Sequence, residues 1–132
     1  MTQEEKEILI KDLCARLLYG VKIYHIYSEK PVRFNSKHLN QIGAVKILPY
    51  LRPMSSMTEE ERMEFTILFD KWHDDELFDY IEEGVEFSIW KHKGISSVVF
   101  DWLNKKMFDY RGLIPMGLAL EATEDMYSTK TE

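Results

Sequence analysis

Apolar residues recur at helical spacing near the start of the chain, where Ile10, Leu13, Cys14 and Leu17, widened by Ile8 and Leu9, follow Thr2-Gln3-Glu4-Glu5. That opening tetrad is a capping box, in which the threonine hydroxyl and the glutamate carboxylate each satisfy a free amide. The pattern predicts a helix over about residues 3–16, closed before Tyr19-Gly20, with Cys14 on its core face. The period then changes. Val21-Lys22-Ile23-Tyr24-His25-Ile26-Tyr27 is dense in β-branched and aromatic residues and predicts a strand, and Ser28-Glu29-Lys30-Pro31 predicts a turn. Val32-Arg33-Phe34 and Ala44-Val45-Lys46-Ile47-Leu48 supply two further short strands, and Pro49 and Pro53 hold the residues between them extended. Three short strands form a small antiparallel β-meander, which needs a helix to pack on.

The second half returns to helical spacing. Thr58-Glu59-Glu60-Glu61 is a second capping box, followed by an apolar band of Met63, Phe65, Ile67, Phe69 and Trp72. Residues 74–84 predict a shorter acidic helix ended by Gly84, and residues 85–90 alternate as a strand or extended arm. A third major helix starts near Ser96 or Ser97, carries Val98, Val99, Trp102, Leu103 and Met107 as its stripe, and breaks near Asp109. Ile114-Pro115-Met116-Gly117 has the composition of a turn, after which Leu118-Ala119-Leu120 docks. The fold expected is α+β: an N-terminal helix, a small antiparallel meander, then a mainly helical second half. It is expected to form a single compact domain over residues 1–132, with a tail that frays from about Thr123.

Charge changes this picture more than composition does. The 132 residues, 45% hydrophobic and 30% charged, are ordinary for one globular domain, and a single cysteine rules out an internal disulfide. The acidic opening lacks the order of a signal peptide, and no apolar run approaches the roughly 20 residues that span a bilayer, so a cytoplasmic protein without membrane contact is expected. The net charge of −6 hides a steep asymmetry. Residues 16–53 carry seven basic side chains against Glu29 alone, whereas residues 54–86 carry two basic and twelve acidic ones. Either the two pieces are solvated faces, or the basic one meets phosphate, or the acidic one docks on a basic partner.

Two stretches carry a resemblance. Pro49-Tyr50-Leu51-Arg52-Pro53-Met54-Ser55-Ser56-Met57-Thr58-Glu59-Glu60-Glu61 and Asp101-Trp102-Leu103-Asn104-Lys105-Lys106-Met107-Phe108-Asp109-Tyr110-Arg111-Gly112-Leu113-Ile114, with the opening Asp12-Leu13-Cys14-Ala15-Arg16-Leu17, extend over about half the chain. In these the chain resembles a family of small uncharacterised proteins encoded in phages, prophages and mobile regions of gut Bacteroidales. The resemblance implies a context, a protein made by or alongside phage genes, where host-directed binding proteins are frequent products. It transfers no functional residue.

Motifs of chemistry are sparse. His25, His38, His73 and His92 form no i, i+4 pair, and His73-Asp74-Asp75-Glu76 points its side chains in different directions, so no metal site is expected. No nucleophile elbow and no phosphate-binding glycine loop occurs, so no catalytic residue and no cofactor is assigned. The reading that remains is a non-enzymatic binding protein with a host or phage protein as its partner. Its contact surface is the acidic helical region, with Glu60, Glu61, Glu64, Asp74, Asp75 and Glu76 as contact residues. The alternative is a single-stranded nucleic-acid-binding module using Lys22, Tyr24, Arg33, Lys46 and Arg52, where basic and aromatic residues interleave. Self-association through the aromatic-rich second half is a further option.

Overall fold

The computed structural model describes residues 1–72 and 97–127, with the side chains of 69–72 left aside. The acidic helix expected over 74–84 and the extended run over 85–90 lie outside the described residues. The chain divides into two compact units, Met1–Leu51 with Leu113–Glu132, and Arg52–Gly112.

The first unit opens with α1 (Gln3–Arg16), capped as its sequence demands. The Thr2 hydroxyl accepts from the Glu5 amide at 3.0 Å, and the Glu5 carboxylate accepts from the Thr2 amide at 2.9 Å. The buried face differs from the one hydropathy predicts. It consists of Leu9, Asp12, Leu13 and Arg16, at the i, i+3, i+4, i+7 spacing of a core stripe. Asp12 and Arg16 are fully buried and joined by two hydrogen bonds of 3.0 Å, from Nε to Oδ2 and from Nη2 to Oδ1. Turning this pair inward rotates Cys14, expected in the core, to an exposed position. Leu18 just beyond the helix is 88% exposed. Gly20, at φ 76°, then turns the chain through the left-handed region toward the sheet.

The sheet has four short strands, β1 (Lys22–His25), β2 (Val32–Arg33), β3 (Ile47–Leu51) and β4 (Leu120–Glu121), in the order β2-β1-β3-β4. The α+β class holds, and β1, β2 and β3 pair antiparallel. Two details depart from a plain meander. The strand β3 lies beside β1 rather than β2, and β4 returns from the far end of the chain to pair in parallel with β3.

The strand β3 also runs later than its apolar run suggests, with Pro49 inside it. Hydrogen-bonded and non-bonded rungs alternate in an antiparallel ladder. The Ile26 amide donates to the Lys46 carbonyl at 3.2 Å, and counting back places the Ile23–Pro49 rung at a non-bonded position. The proline's missing N–H therefore costs the β1 ladder nothing.

Alternation fixes the two faces of the sheet. Val21, Ile23, Ile47 and Leu51 share one face and are buried. The other face carries Lys22 and Tyr24 of β1, Arg33 of β2 and Leu48 of β3. Residues of the tail as far as Tyr127 contact the sheet. The Met126 carbonyl accepts from Lys22 Nζ at 3.1 Å, and the Tyr127 hydroxyl bridges β1 and β3.

The second unit contains α2 (Glu59–Trp72) and α3 (Ser97–Lys105), packed on each other. Thr58 and Glu61 complete the second capping box, with amide-to-side-chain bonds of 2.9 and 3.1 Å. Met54, Met57, Phe65, Val99, Leu103, Phe108 and Tyr110 form a buried cluster, with Phe100 and Trp102 against it. The expected band on α2 is only partly internal: Phe65 is buried, whereas Met63 and Ile67 are 64% and 69% exposed. The helix α3 ends before the expected break at Asp109. The Phe108 amide donates to Leu103 and the Met107 amide to Asn104, a Schellman closure with Met107 left-handed at φ 65°.

Candidate functional site

The contact residues expected on the acidic surface belong to the second unit, and the structure gives them different roles. Glu60 lies exposed in the first turn of α2. Glu61 is committed inside its own unit. Arg52 Nη2 donates to its Oε1 at 2.6 Å and Nη1 to its Oε2 at 2.8 Å, with side-chain exposures of 22% for Arg52 and 14% for Glu61. Burial pushes the Glu61 carboxyl up, but the Arg52 guanidinium and the Thr58 amide and hydroxyl outweigh it and leave the pKa below its ordinary value. Glu64 is exposed, accepting from the Trp102 indole N–H at 3.3 Å with Lys106 Nζ at 3.9 Å. Asp74, Asp75 and Glu76 lie outside the described residues.

The helical period places Glu60, Met63, Glu64 and Ile67 on one stripe of α2, at i, i+3, i+4 and i+7. All four are exposed. Phe65 points to the opposite, buried side. The helix therefore has two apolar faces, one used by the core and one turned outward between carboxylates. Sequence reasoning found the glutamates and missed their apolar neighbours, because Met63 and Ile67 at helical spacing read as core. The signal was the width of the band: apolar residues at 63, 65, 67 and 69 cannot all share one face.

The alternative set falls into two parts. Lys22, Tyr24 and Arg33 share the face of the first unit's sheet opposite Val21 and Ile23, through the Lys22–Arg33 rung and the two-residue period of β1. Lys46, opposite Ile26 one rung beyond the paired residues, joins them, and its Nζ lies 5.8 Å from the centre of the Tyr24 ring. Arg52 does not belong. It lies in the second unit, where its guanidinium stacks 4.3 Å over the Phe108 ring and grips Glu61. One member of each candidate set thus neutralises a member of the other.

His25, at the turn end of β1, and His38 lie 5.6 Å apart, centre to centre. His38 Nδ1 accepts from the Asn35 amide at 3.1 Å and His25 Nδ1 from the Tyr27 amide at 3.2 Å. Burial, and then the charge of His25, holds His38 below its ordinary pKa. Among the described residues, no group of three or more His, Cys, Asp or Glu could hold a metal ion, and no helix is long and apolar enough to cross a membrane.

The charge asymmetry sorts by unit in a way the linear segments conceal. The first unit has nine basic and nine acidic side chains, because α1 and the C-terminal residues neutralise the basic strands. The second has eight basic and fourteen acidic ones, and so carries the whole net charge of −6. No family model matches the chain, and no match was found among curated proteins or solved structures.

Proposed function

We propose that the protein is a non-enzymatic binding protein whose acidic helical unit captures a basic partner protein on the outward stripe of α2. In the phage or mobile-element context that the sequence resemblance implies, that partner is a host or phage protein met in the cytoplasm. The observation that carries the reading is the juxtaposition of exposed Met63 and Ile67 with exposed Glu60 and Glu64 on one helical face. A helix whose outward side repeats at i, i+3, i+4 and i+7 is a docking surface for another amphipathic helix. Covering the two apolar side chains contributes about 2–4 kcal/mol, and the carboxylates add attraction and faster encounter with a basic segment. A partner so bound is held with modest affinity and released by salt.

The test uses a defined probe, an amphipathic Leu/Lys peptide about four turns long. Against the full chain it is expected to bind, and the mirror Leu/Glu peptide is not. Met63→Gln with Ile67→Gln, and separately Glu60→Lys with Glu64→Lys, should each weaken binding about tenfold or more. All four positions are exposed, so neither double variant empties the core, and Glu64→Lys gives up only the exposed Trp102 indole bond and the Lys106 contact. Equal binding by the wild type and both variants would remove α2 as the contact surface. A pull-down with the same variants, with and without nuclease, then identifies the natural partner.

A further inference from the structure

The face of the first unit's sheet opposite Val21, Ile23, Ile47 and Leu51, on which Leu48 is buried and Lys22, Tyr24 and Tyr50 are half-buried, has a property that neither its composition nor its net charge discloses. Its paired positions, Lys22, Tyr24, Arg33, Leu48, Tyr50 and Leu120, include two cations and no carboxylate. Lys46 and Ile26 extend the face by one rung. Among the described residues, the carboxylates of α1 and Glu29 of the hairpin turn lie off these positions, while Glu124 and Asp125 adjoin Met126, whose carbonyl accepts from the half-buried Lys22 Nζ at 3.1 Å. Glu121 pairs with Leu51 and so belongs to the other side of the sheet. Arg33 and Lys46 are exposed, as is Ile26 at 48%, while Tyr24 is half-buried beneath the Lys46 ammonium.

We infer that this face binds single-stranded nucleic acid, with the exposed Arg33 and Lys46 on phosphates and Tyr24 and Ile26 under the bases. A polyanion alone would use the two exposed cations and leave Tyr24 and Ile26 without a contact. A duplex presents phosphates outward and hides the base faces that an aromatic ring stacks on. An extended single strand satisfies both sets at once. From Lys22 to the Ile26–Lys46 rung is about 14 Å along β1, enough for a short run of nucleotides. The inference is independent of the α2 reading, since the two surfaces belong to different compact units.

The experiment is fluorescence anisotropy of a labelled oligothymidylate of about 20 nucleotides, against the full chain, over a salt series. Two phosphate contacts predict a slope of log affinity on log salt of about −1.4. Arg33→Glu with Lys46→Glu should lower affinity at least about tenfold, and Tyr24→Leu should lower it while leaving the salt slope unchanged. The α2 variant Met63→Gln with Ile67→Gln should bind as the wild type does, which separates failure of this inference from failure of the helix reading. Competition by heparin or by duplex DNA as strong as that by the single strand would overturn it, showing a polyanion surface only. So would undetectable binding at low salt, or binding indifferent to the Arg33 and Lys46 reversals.

Discussion

The hydroxyl of Tyr127 occupies the rung of the central ladder that Lys22 would otherwise share with Tyr50. It accepts from the Lys22 backbone amide at 2.8 Å and donates to the Tyr50 carbonyl at 2.8 Å. By the alternation of rungs this is a hydrogen-bonded position, so the phenol stands in for a direct backbone pair. Residues near the C-terminus thereby fasten the two middle strands where the regular ladder stops.

Removing that hydroxyl tests the arrangement. Tyr127→Phe keeps the ring and leaves two backbone groups without the atom that joins them, at a cost of about 1–3 kcal/mol. Urea denaturation should show the loss as a lower midpoint at unchanged slope.

The same residue makes the fold sensitive to alkali. Burial is the largest cause that pushes the Tyr127 phenol from its ordinary value of 10 up to about 12, against the pull of the Lys22 backbone bond. The folded chain holds this proton more tightly than the unfolded one. Its contribution is complete below pH 10 and disappears as the pH rises through about 12, amounting to about 3 kcal/mol. Stability measured from pH 9 upward should fall over that window in the wild type and stay flatter in Tyr127→Phe.

The Asp12–Arg16 pair predicts a strong non-additivity. Both side chains are fully buried, so removing one takes the counter-charge from the other inside the unit, at about 3–5 kcal/mol. Asp12→Ala and Arg16→Met should each destabilise by that order. The double change Asp12→Leu with Arg16→Met should cost far less than either single one, because the desolvation penalty leaves with the pair. The two singles should also move Tyr127 in opposite directions, since the Arg16 charge lowers its pKa and the Asp12 charge raises it. Absorbance titration of the tyrosines reads this.

These residues also mark where sequence stops being legible. Both capping boxes were readable because Thr2–Glu5 and Thr58–Glu61 are local and their chemistry is complete within one turn. The strands at 22–25 and 32–33 were readable from β-branched density. The buried face of α1 was not, because hydropathy assigns Asp12 and Arg16 to water and cannot know that each is the other's solvent. Pro49 hid the true extent of β3, since its place on a non-bonded rung depends on a partner strand. Tyr127 and β4 act across some 70 to 105 residues of chain, and no local pattern announces such contacts. Of the candidate sites, residue types were legible and neighbours were not: Lys22, Tyr24, Arg33 and Lys46 converge only once the register is fixed, and Arg52 and Glu61 cancel only once the chain folds back.

Met107 sets strain against burial. Its left-handed backbone closes α3 where glycine is the usual occupant, while its side chain is 1% exposed. Met107→Ala gives up the buried side chain and keeps the strain, and should cost about 2–3 kcal/mol. Met107→Gly gives up the same side chain but relieves the backbone. After allowing for glycine's extra freedom when unfolded, it should be the more stable of the two by about 0.5–1 kcal/mol. The opposite order in thermal melts would mean that the surrounding contacts impose no strain at this position.

The Arg52–Glu61 pair decides how the acidic surface should be probed. The glutamate closes the capping box of α2 and takes both ends of the Arg52 guanidinium, so its reversal damages the fold before it touches any partner. A double-mutant cycle on Arg52→Ala and Glu61→Ala should give a coupling of about 1–2 kcal/mol, above that of an exposed pair. The pH dependence has a definite sign. The folded-state pKa of Glu61 lies below its ordinary 4.5, so its contribution is present above that value and is lost as the pH falls beneath it. Glu61→Gln can still accept from the Thr58 amide but no longer carries the charge. The wild type should therefore be the more stable of the two near neutrality, and the difference should shrink as the pH is lowered from 5 toward 3. Glu60→Lys with Glu64→Lys gives up the exposed Trp102 and Lys106 contacts of Glu64 and should cost no more than about 1 kcal/mol, which makes that double variant, and not any containing Glu61, the better probe of partner capture.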